Sequence, residues 1–482
     1  MSLRSYIDKF KQSDSFLKYV SIVAGGTVIA QGFNMALMPI LSRIYSPEDF
    51  GILSVFSSVI SILIPVSSLR YYLAIALPKS EKQSQALIAL TFLIQTFFLI
   101  IFTIIILLAG DTLLTHIGIK RLIPYKLLLP IAVFGASIYA SLVQWSIREK
   151  LFGIIARTKI SQSFSGGIVK IIFGLLGFKP FGLLLGTVIG QAGGITSLIQ
   201  ALRSKFGFHK TCLIDIRRSA IKYRRFPIYD TPASLINIIS DQIIPILIFS
   251  YFGAQITGFF SISQQLLIVP SLFIGDAIGQ VFLQKASVAK YNNTLRELSI
   301  TTYSFLLQLG FFPTLVIACF APSIFNYVLG NSWNEAGCYT IALTPTLALN
   351  FAFNPISCLF NVQNKQNISL KLEILNFTSK ITAFYIGVFY STPLTTIAIF
   401  SSACAIILLI RTFFALSICN CSTVVIISKI LRIICIYSFY IPIIILYNKY
   451  NSFLLIILAT IIYSVIYIYQ IYERFLALKA IS

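Results

Sequence analysis

Arg70 is a permanent positive charge in an apolar setting. The stretch from Gly51 to Pro78 is otherwise apolar or small and long enough to cross a bilayer. Arg70 sits about two turns inside its far end. A guanidinium cannot shed its proton, and at the centre of a membrane it costs about 2.5–3.5 kcal/mol even on insertion scales. Three arrangements relieve that cost: a wet cavity where the cation meets an anion, a static ion pair between helices, or snorkelling to the interface. Asp276 is the partner to weigh, because shifting the chain by 206 residues lays it on Arg70. In that register Pro39-Ile40-Leu41 falls on Pro245-Ile246-Leu247, Tyr45 on Tyr251 and Lys79 on Lys285, with eight identities in 41 positions. Asp276 could bind a proton or cation, or pair with Arg70 in one state of a cycle.

Other polar residues stand in apolar runs. Lys170 and Lys380 are candidate anion contacts or titrating groups, since a desolvated lysine can lose its proton; the alternative is a hydrogen bond between helices. Asp241 is accompanied by Asn237 and Gln242, and Gln31 and Asn34 stand in the first run, with Gln31 falling on Asn237 in the same register. These suit a shared lumen or polar glue between helices. Glu373, seven residues before Lys380, reads as an interfacial residue.

Two patterns read as structure. Gly182, Gly186, Gly190 and Gly194 repeat every fourth residue and make a flat face for close helix packing. Ser46-Pro47-Glu48-Asp49 is a helix start, with Ser46 as N-cap and the acids favoured by the helix dipole. There is no Walker loop, G-x-S-x-G or H-E-x-x-H, and the eight cysteines suggest neither a disulfide framework nor a metal site. No cofactor is expected.

Helices must position these residues in a membrane. With 57% hydrophobic residues, 11% charged and a mean hydropathy of +0.88, the chain lies far from a soluble domain, which carries about 25% charged residues. Fourteen apolar runs are long enough to span: 18–41, 51–76, 84–109, 125–146, 158–178, 180–201, 230–252, 256–282, 298–321, 337–361, 368–390, 393–417, 428–447 and 451–471. The expected fold is an all-α polytopic membrane protein of 12 to 14 transmembrane helices. The net charge of +22 is not a nucleic-acid footprint. Of the 37 Lys and Arg, about 28 fall in the N-terminus, even-numbered loops and C-terminus, six in odd-numbered loops, and three (Arg70, Lys170, Lys380) inside spans. That bias places both termini in the cytoplasm and leaves some attraction for anionic lipid head groups.

The longest hydrophilic stretch divides the first twelve spans into six and six. The expected organisation is a cytoplasmic N-terminus (1–17), a six-helix bundle (18–202), a basic linker (203–229), a second six-helix bundle (230–417) and an additional helix pair with the C-terminus (418–482). The linker's apolar residues are spaced for an interfacial helix with a basic face; a solvated connection is the alternative. The register above makes the bundles parallel repeats around a central cavity.

Four stretches carry a resemblance: Leu41–Gly51 with its Tyr45-Ser46-Pro47-Glu48-Asp49 core, Ser68–Ser80 with Leu69-Arg70-Tyr71-Tyr72, Phe226–Leu235 with Tyr229-Asp230-Thr231-Pro232, and Ala277–Ser287 with Gly279-Gln280-Val281-Phe282. In this order they resemble bacterial polysaccharide-export flippases of the Wzx type, a branch of the multidrug/oligosaccharidyl-lipid/polysaccharide exporter superfamily. The resemblance implies two bundles alternating between inward- and outward-facing states in the bacterial inner membrane. It implies as substrate an oligosaccharide repeat unit on undecaprenyl pyrophosphate, moved to the periplasmic leaflet for O-antigen or another surface polysaccharide. The implied partners are that lipid, the surrounding membrane lipids and other polysaccharide-assembly proteins. The family's cationic cavity carries over to Arg70, then Lys170 and Lys380, with Tyr71, Tyr72, Asn34 and Gln280 as plausible sugar contacts. Tyr72 and Asp276 depart from the family pattern, where an acid and an uncharged residue are expected.

Two other functions compete. A multidrug or cation exporter of the same fold would want acids in its lumen, and a glycan polymerase or ligase would want a sizeable outer loop. The basic interior and the short odd-numbered loops favour a transporter of an anionic lipid-linked substrate over both.

Overall fold

The computed structural model describes residues 15–205, 212–270, 275–292, 294–390, 392–425, 427–428, 431, 467–469 and 471–472. Among them the ordered elements are helical, and no strand occurs. The chain divides into two compact units, 1–261 and 262–482.

In the first unit the helices are α1 (Ser15–Ile44), α2 (Pro47–Ser68), the short α3 (Tyr71–Ala74), α4 (Glu81–His116), α5 (Leu128–Arg148), α6 (Phe152–Leu175), α7 (Phe181–Ala192), α8 (Ile195–Lys205), α9 (Leu213–Lys222) and α10 (Thr231–Pro270), which runs on into the second unit. The helix start read from the sequence forms as a capping box. Ser46 Oγ accepts from Asp49 N at 3.3 Å, and the Asp49 carboxylate accepts from Ser46 N at 2.9 Å. These bonds satisfy amides that a helix N-terminus leaves open.

Lipid tails are as apolar as leucine, so helices inside a membrane associate by close packing and not by hydrophobic burial. Gly182, Gly186 and Gly190 provide that packing, whereas Gly194, expected on the same face, lies beyond the end of α7 in a left-handed turn (φ +87°). A Cβ on Gly186 would lie 2.5 Å from Lys170 Cγ and 2.7 Å from Gly166 O, and one on Gly190 would lie 3.2 Å from Gln162 O, so α7 rests directly on α6. On the other side of α6, Gly167 and Gly174 admit Leu37, Phe33 and Ile44 of α1 and Tyr45 just beyond its end. Gly253 (φ +86°, ψ −179°) interrupts α10 in a conformation that L-residues avoid. Next to that break Gly51 meets Ala254 so closely that a Cβ would fall 1.8 Å from its carbonyl oxygen.

The second unit continues with α11 (Asp276–Tyr291), α12 (Leu295–Leu329), α13 (Asn334–Ile356), the short α14 (Leu359–Val362), α15 (Gln366–Phe389) and α16 (Pro393–Ser417). Its core gathers Leu306, Leu307, Phe312, Phe351, Ala352, Phe353, Leu408 and Ala415. Tyr467 closes on α12, donating to Leu309 O at 2.9 Å.

Nine described helical stretches are long and apolar enough to cross a membrane. One of them, 226–268, contains the Gly253 break and includes the expected run 230–252 and much of 256–282. Helices α6 and α15 are each 24 residues long but carry Arg157, Lys159 and Lys170, and Lys371, Glu373 and Lys380. The expected pair 428–447 and 451–471 lies almost wholly outside the described residues.

Two sequence readings need correction. The run 51–76 is not one helix, because α2 ends at Ser68 and both Leu69 (φ +47°) and Arg70 (φ +54°) are left-handed. Arg70 therefore sits in a turn and not inside a helix. Arg411, not among the three basic residues expected inside spans, lies within α16 and is mostly buried. Its position six residues from the helix end disguised it, and burial is possible because Glu373 of α15 meets it at 2.8 Å.

Candidate functional site

Left-handed backbone at a residue other than glycine costs about 1–3 kcal/mol. Leu69 and Arg70 bear that cost in succession, and the contacts of Arg70 show what holds the turn. Arg70 Nε donates to the Asp230 carboxylate at 2.5 Å, and Nη1 donates to Ser234 Oγ. The arginine side chain is 20% exposed and Asp230 43%. One partner is therefore partly uncovered by protein while the cation is largely enclosed. Tyr72, half-buried, lies close enough to both charges to feel their fields. Tyr71 is buried and donates to Ala220 O of α9 at 3.0 Å.

Asp230 opens a stripe. Asp230, which ends the helical turn Phe226–Asp230 leading into α10, and Ser234, Asn237 and Asp241 of α10 are spaced four, three and four residues apart, which places them on one helix face. The stripe climbs about 16 Å from Arg70 at 1.5 Å per residue. Asn237 and Asp241 are exposed; Ser234 is half-buried. The arrangement is a fixed cation at one end of a ladder of hydrogen-bonding groups. It can hold an anion at Arg70 and polar hydroxyls above it.

The remaining candidates scatter. Lys170 lays its stem against Gly186, and its backbone carbonyl accepts from Tyr45 Oη at 2.6 Å; among the described residues its ammonium has no carboxylate partner. Asn34 Oδ1 and Ala30 O both lie 2.8 Å from Ser163 Oγ, which ties α1 to α6, and Gln31 is half-buried one turn away. Lys380 is half-buried on α15 in the second unit. Asp276 is the first residue of α11, and the side chains of Asp276 and Gln280 lie outside the described residues.

Sequence reasoning missed Asp230, Ser234 and Arg411 as contact-makers. The signal for the first two was present: Asp230 begins an apolar run four residues before a serine, and both lie in the stretch Phe226–Leu235. The Glu373–Arg411 pair had a weaker signal, two opposite charges in successive apolar runs. Asn376 Nδ2 donates to Glu373 at 3.3 Å, and the Arg411 guanidinium lies 4.8 Å from the Phe353 ring centroid, so the buried cluster is polar and aromatic.

Helical bundles of this length and apolarity define a polytopic membrane protein. Residues 40–337, more than half of the chain, match the family described as polysaccharide biosynthesis protein, and the chain belongs to that family. All four resembling stretches fall inside the match. Among solved structures, the lipid II flippase MurJ in an inward closed conformation aligns with a TM-score of 0.67 at 14% identity, covering 94% of this chain and 98% of that one. An inward-facing multidrug resistance MATE family transporter of the MOP superfamily aligns with a TM-score of 0.61 at 17% identity, over 82% and 99%. These likenesses establish the fold. By sequence the chain is similar to an uncharacterized membrane protein in the cps region of Klebsiella pneumoniae, 23% identical over 77% of this chain and 76% of that one. It is also similar to the lipopolysaccharide biosynthesis protein WzxC of Escherichia coli strain K12, 21% identical over 75% and 73%.

Proposed function

We propose that this chain is a flippase carrying undecaprenyl-pyrophosphate-linked oligosaccharide repeat units from the cytoplasmic to the periplasmic leaflet of a bacterial inner membrane, by alternating access, for a surface polysaccharide. The observation that carries this reading is the Arg70 turn. A guanidinium is held there by a half-exposed carboxylate, at the foot of the polar stripe Asp230–Ser234–Asn237–Asp241. Pyrophosphate is a stronger anion than a carboxylate and binds a guanidinium through two parallel hydrogen bonds. It would take the place of Asp230, while the sugar hydroxyls meet the stripe, Tyr72 and Asn34. Family membership and the name of the WzxC relative support the polysaccharide assignment. Lys170 and Lys380 are proposed as secondary cationic contacts. Asp241 and Asp276 are proposed to bind the proton or cation that drives the cycle, and Gln31, Asn237 and Gln280 to line the cavity, whereas Tyr71, expected there, is buried with its hydroxyl on Ala220 O.

The test is the leaflet distribution of glycan-carrying lipid in cells with and without the protein, with surface polysaccharide scored in parallel. Loss of the protein should strand that lipid in the inner leaflet. Lipid that reaches the outer leaflet unchanged yet stays unpolymerised would transfer the assignment to a polymerase or ligase. Arg70→Lys should retain part of the flux. Arg70→Ala should lose at least about tenfold, as a charged hydrogen bond of about 1.5–3 kcal/mol requires. Full export by an abundant Arg70→Ala protein would exclude an essential anion contact.

A further inference from the structure

Helix α9 presents two unlike faces. The inner one is held to the protein: Asp215 pairs with Lys82 at 2.9 Å, Lys222 Nζ donates to Gln83 Oε1 at 3.0 Å, Ser219 is buried, and Ala220 O accepts from Tyr71. The outer face mixes large apolar side chains with arginines. Leu213 is 78% exposed, Ile214 59% and Ile221 57%, and Arg217, Arg218, Arg224 and Arg225 stand exposed among them. Among the described residues none of the four arginines has a carboxylate within ion-pair distance, and both acids of the segment are engaged elsewhere, Asp215 with Lys82 and Asp230 with Arg70. Ile228 and Tyr229 extend the exposed apolar edge toward Asp230.

Neither water nor hydrocarbon suits such a face. Water would leave the leucine and isoleucines solvated, and the bilayer interior would strand four cations. A phospholipid surface satisfies both, with apolar side chains at the acyl boundary and guanidinium groups on phosphate. We infer that the outer face of residues 213–229 docks on the anionic phospholipid headgroups of the adjoining leaflet. The chain runs directly from this face to Asp230, so the docked surface positions the carboxylate that holds Arg70.

The test uses the full-length chain, without any glycan lipid, in nanodiscs of phosphatidylcholine containing increasing phosphatidylglycerol. Amide hydrogen exchange is followed over residues 213–225. Protection should rise with the phosphatidylglycerol fraction and fall with added salt. Arg217→Gln/Arg218→Gln should weaken the response about fivefold per arginine removed, which is about 1 kcal/mol for each basic residue near an anionic surface. The control pair Lys365→Gln/Lys371→Gln, exposed on the second unit, should leave it unchanged. Protection that is complete in pure phosphatidylcholine would overturn the inference, because the inner contacts would then suffice. Equal loss in both pairs would also overturn it, reducing the effect to overall charge. The absence of substrate separates this result from the fate of the flippase reading.

Discussion

At the scale of residues, the question is whether the Arg70–Asp230 pair is a structural tie or a site. Partly exposed ion pairs contribute only about 0–1 kcal/mol, yet this one is made by the second of two successive left-handed residues. Reversing the pair separates the possibilities. Arg70→Asp/Asp230→Arg preserves the attraction, so folding and expression should stay close to the parent. Transport should fall below about a tenth, because the cation has moved from the turn after α2 to the foot of α10. Normal export by the reversed pair would make it a tie and nothing more. Arg70, Lys170 and Lys380 were legible in the sequence as charges in apolar runs. Which acid Arg70 meets was not, because residues 160 apart meet only after both helices are placed.

At the scale of elements, packing predictions are direct. Gly186→Ala adds a methyl 2.5 Å from Lys170 Cγ and 2.7 Å from the Gly166 carbonyl, so α6 and α7 must part. Overpacking of this kind costs about 1–3 kcal/mol, and thermal unfolding in detergent should show a lowered midpoint. Gly25→Ala, with open space around its Cβ, serves as the neutral comparison. In the second unit, Glu373→Gln leaves Arg411 as an uncompensated charge, both side chains being 16% exposed. The loss should be about 3–5 kcal/mol, and Glu373→Gln/Arg411→Met should recover most of it. No recovery in the double variant would mean that Arg411 is held by Phe353 and its other neighbours and not by charge. Helix α9 adds an acid-sensitive contact: the hydrogen bond from Lys82 holds the Asp215 carboxyl below the usual carboxylate range. A lowered carboxylate favours the folded contact above its ordinary pKa, and that contribution disappears as the pH falls through the lowered value. Protection over 213–222, corrected for the intrinsic exchange rate at each pH, should therefore fall in acid, and Asp215→Asn should remove the dependence.

At the scale of the whole molecule, the basic residues make a topological statement. Cys212 and Cys338 are both exposed, and the orientation proposed from the charge bias would set them on opposite sides of the membrane. A membrane-impermeant thiol reagent applied to intact cells should modify Cys338 and spare Cys212, and disruption of the membrane should expose Cys212. Labelling in the reverse order would invert the proposed orientation and with it the direction of transport.

By itself the sequence determined the membrane class, the all-helical fold, the capping box at Ser46, the glycine face of α7 and the family. Each of these rests on local composition or short spacing, which a helix converts directly into a face or an end. Tertiary structure decided the break at Leu69-Arg70, the engagement of Arg70 by Asp230 and Ser234, and the burial of Arg411 against Glu373. Left-handed turns at ordinary residues have no compositional signature, since neighbouring contacts and not local preference hold them. Ion-pair partners are likewise set by which helices touch. The same arginine in the same apolar run would read identically in the sequence whether it met Asp230, a headgroup or water.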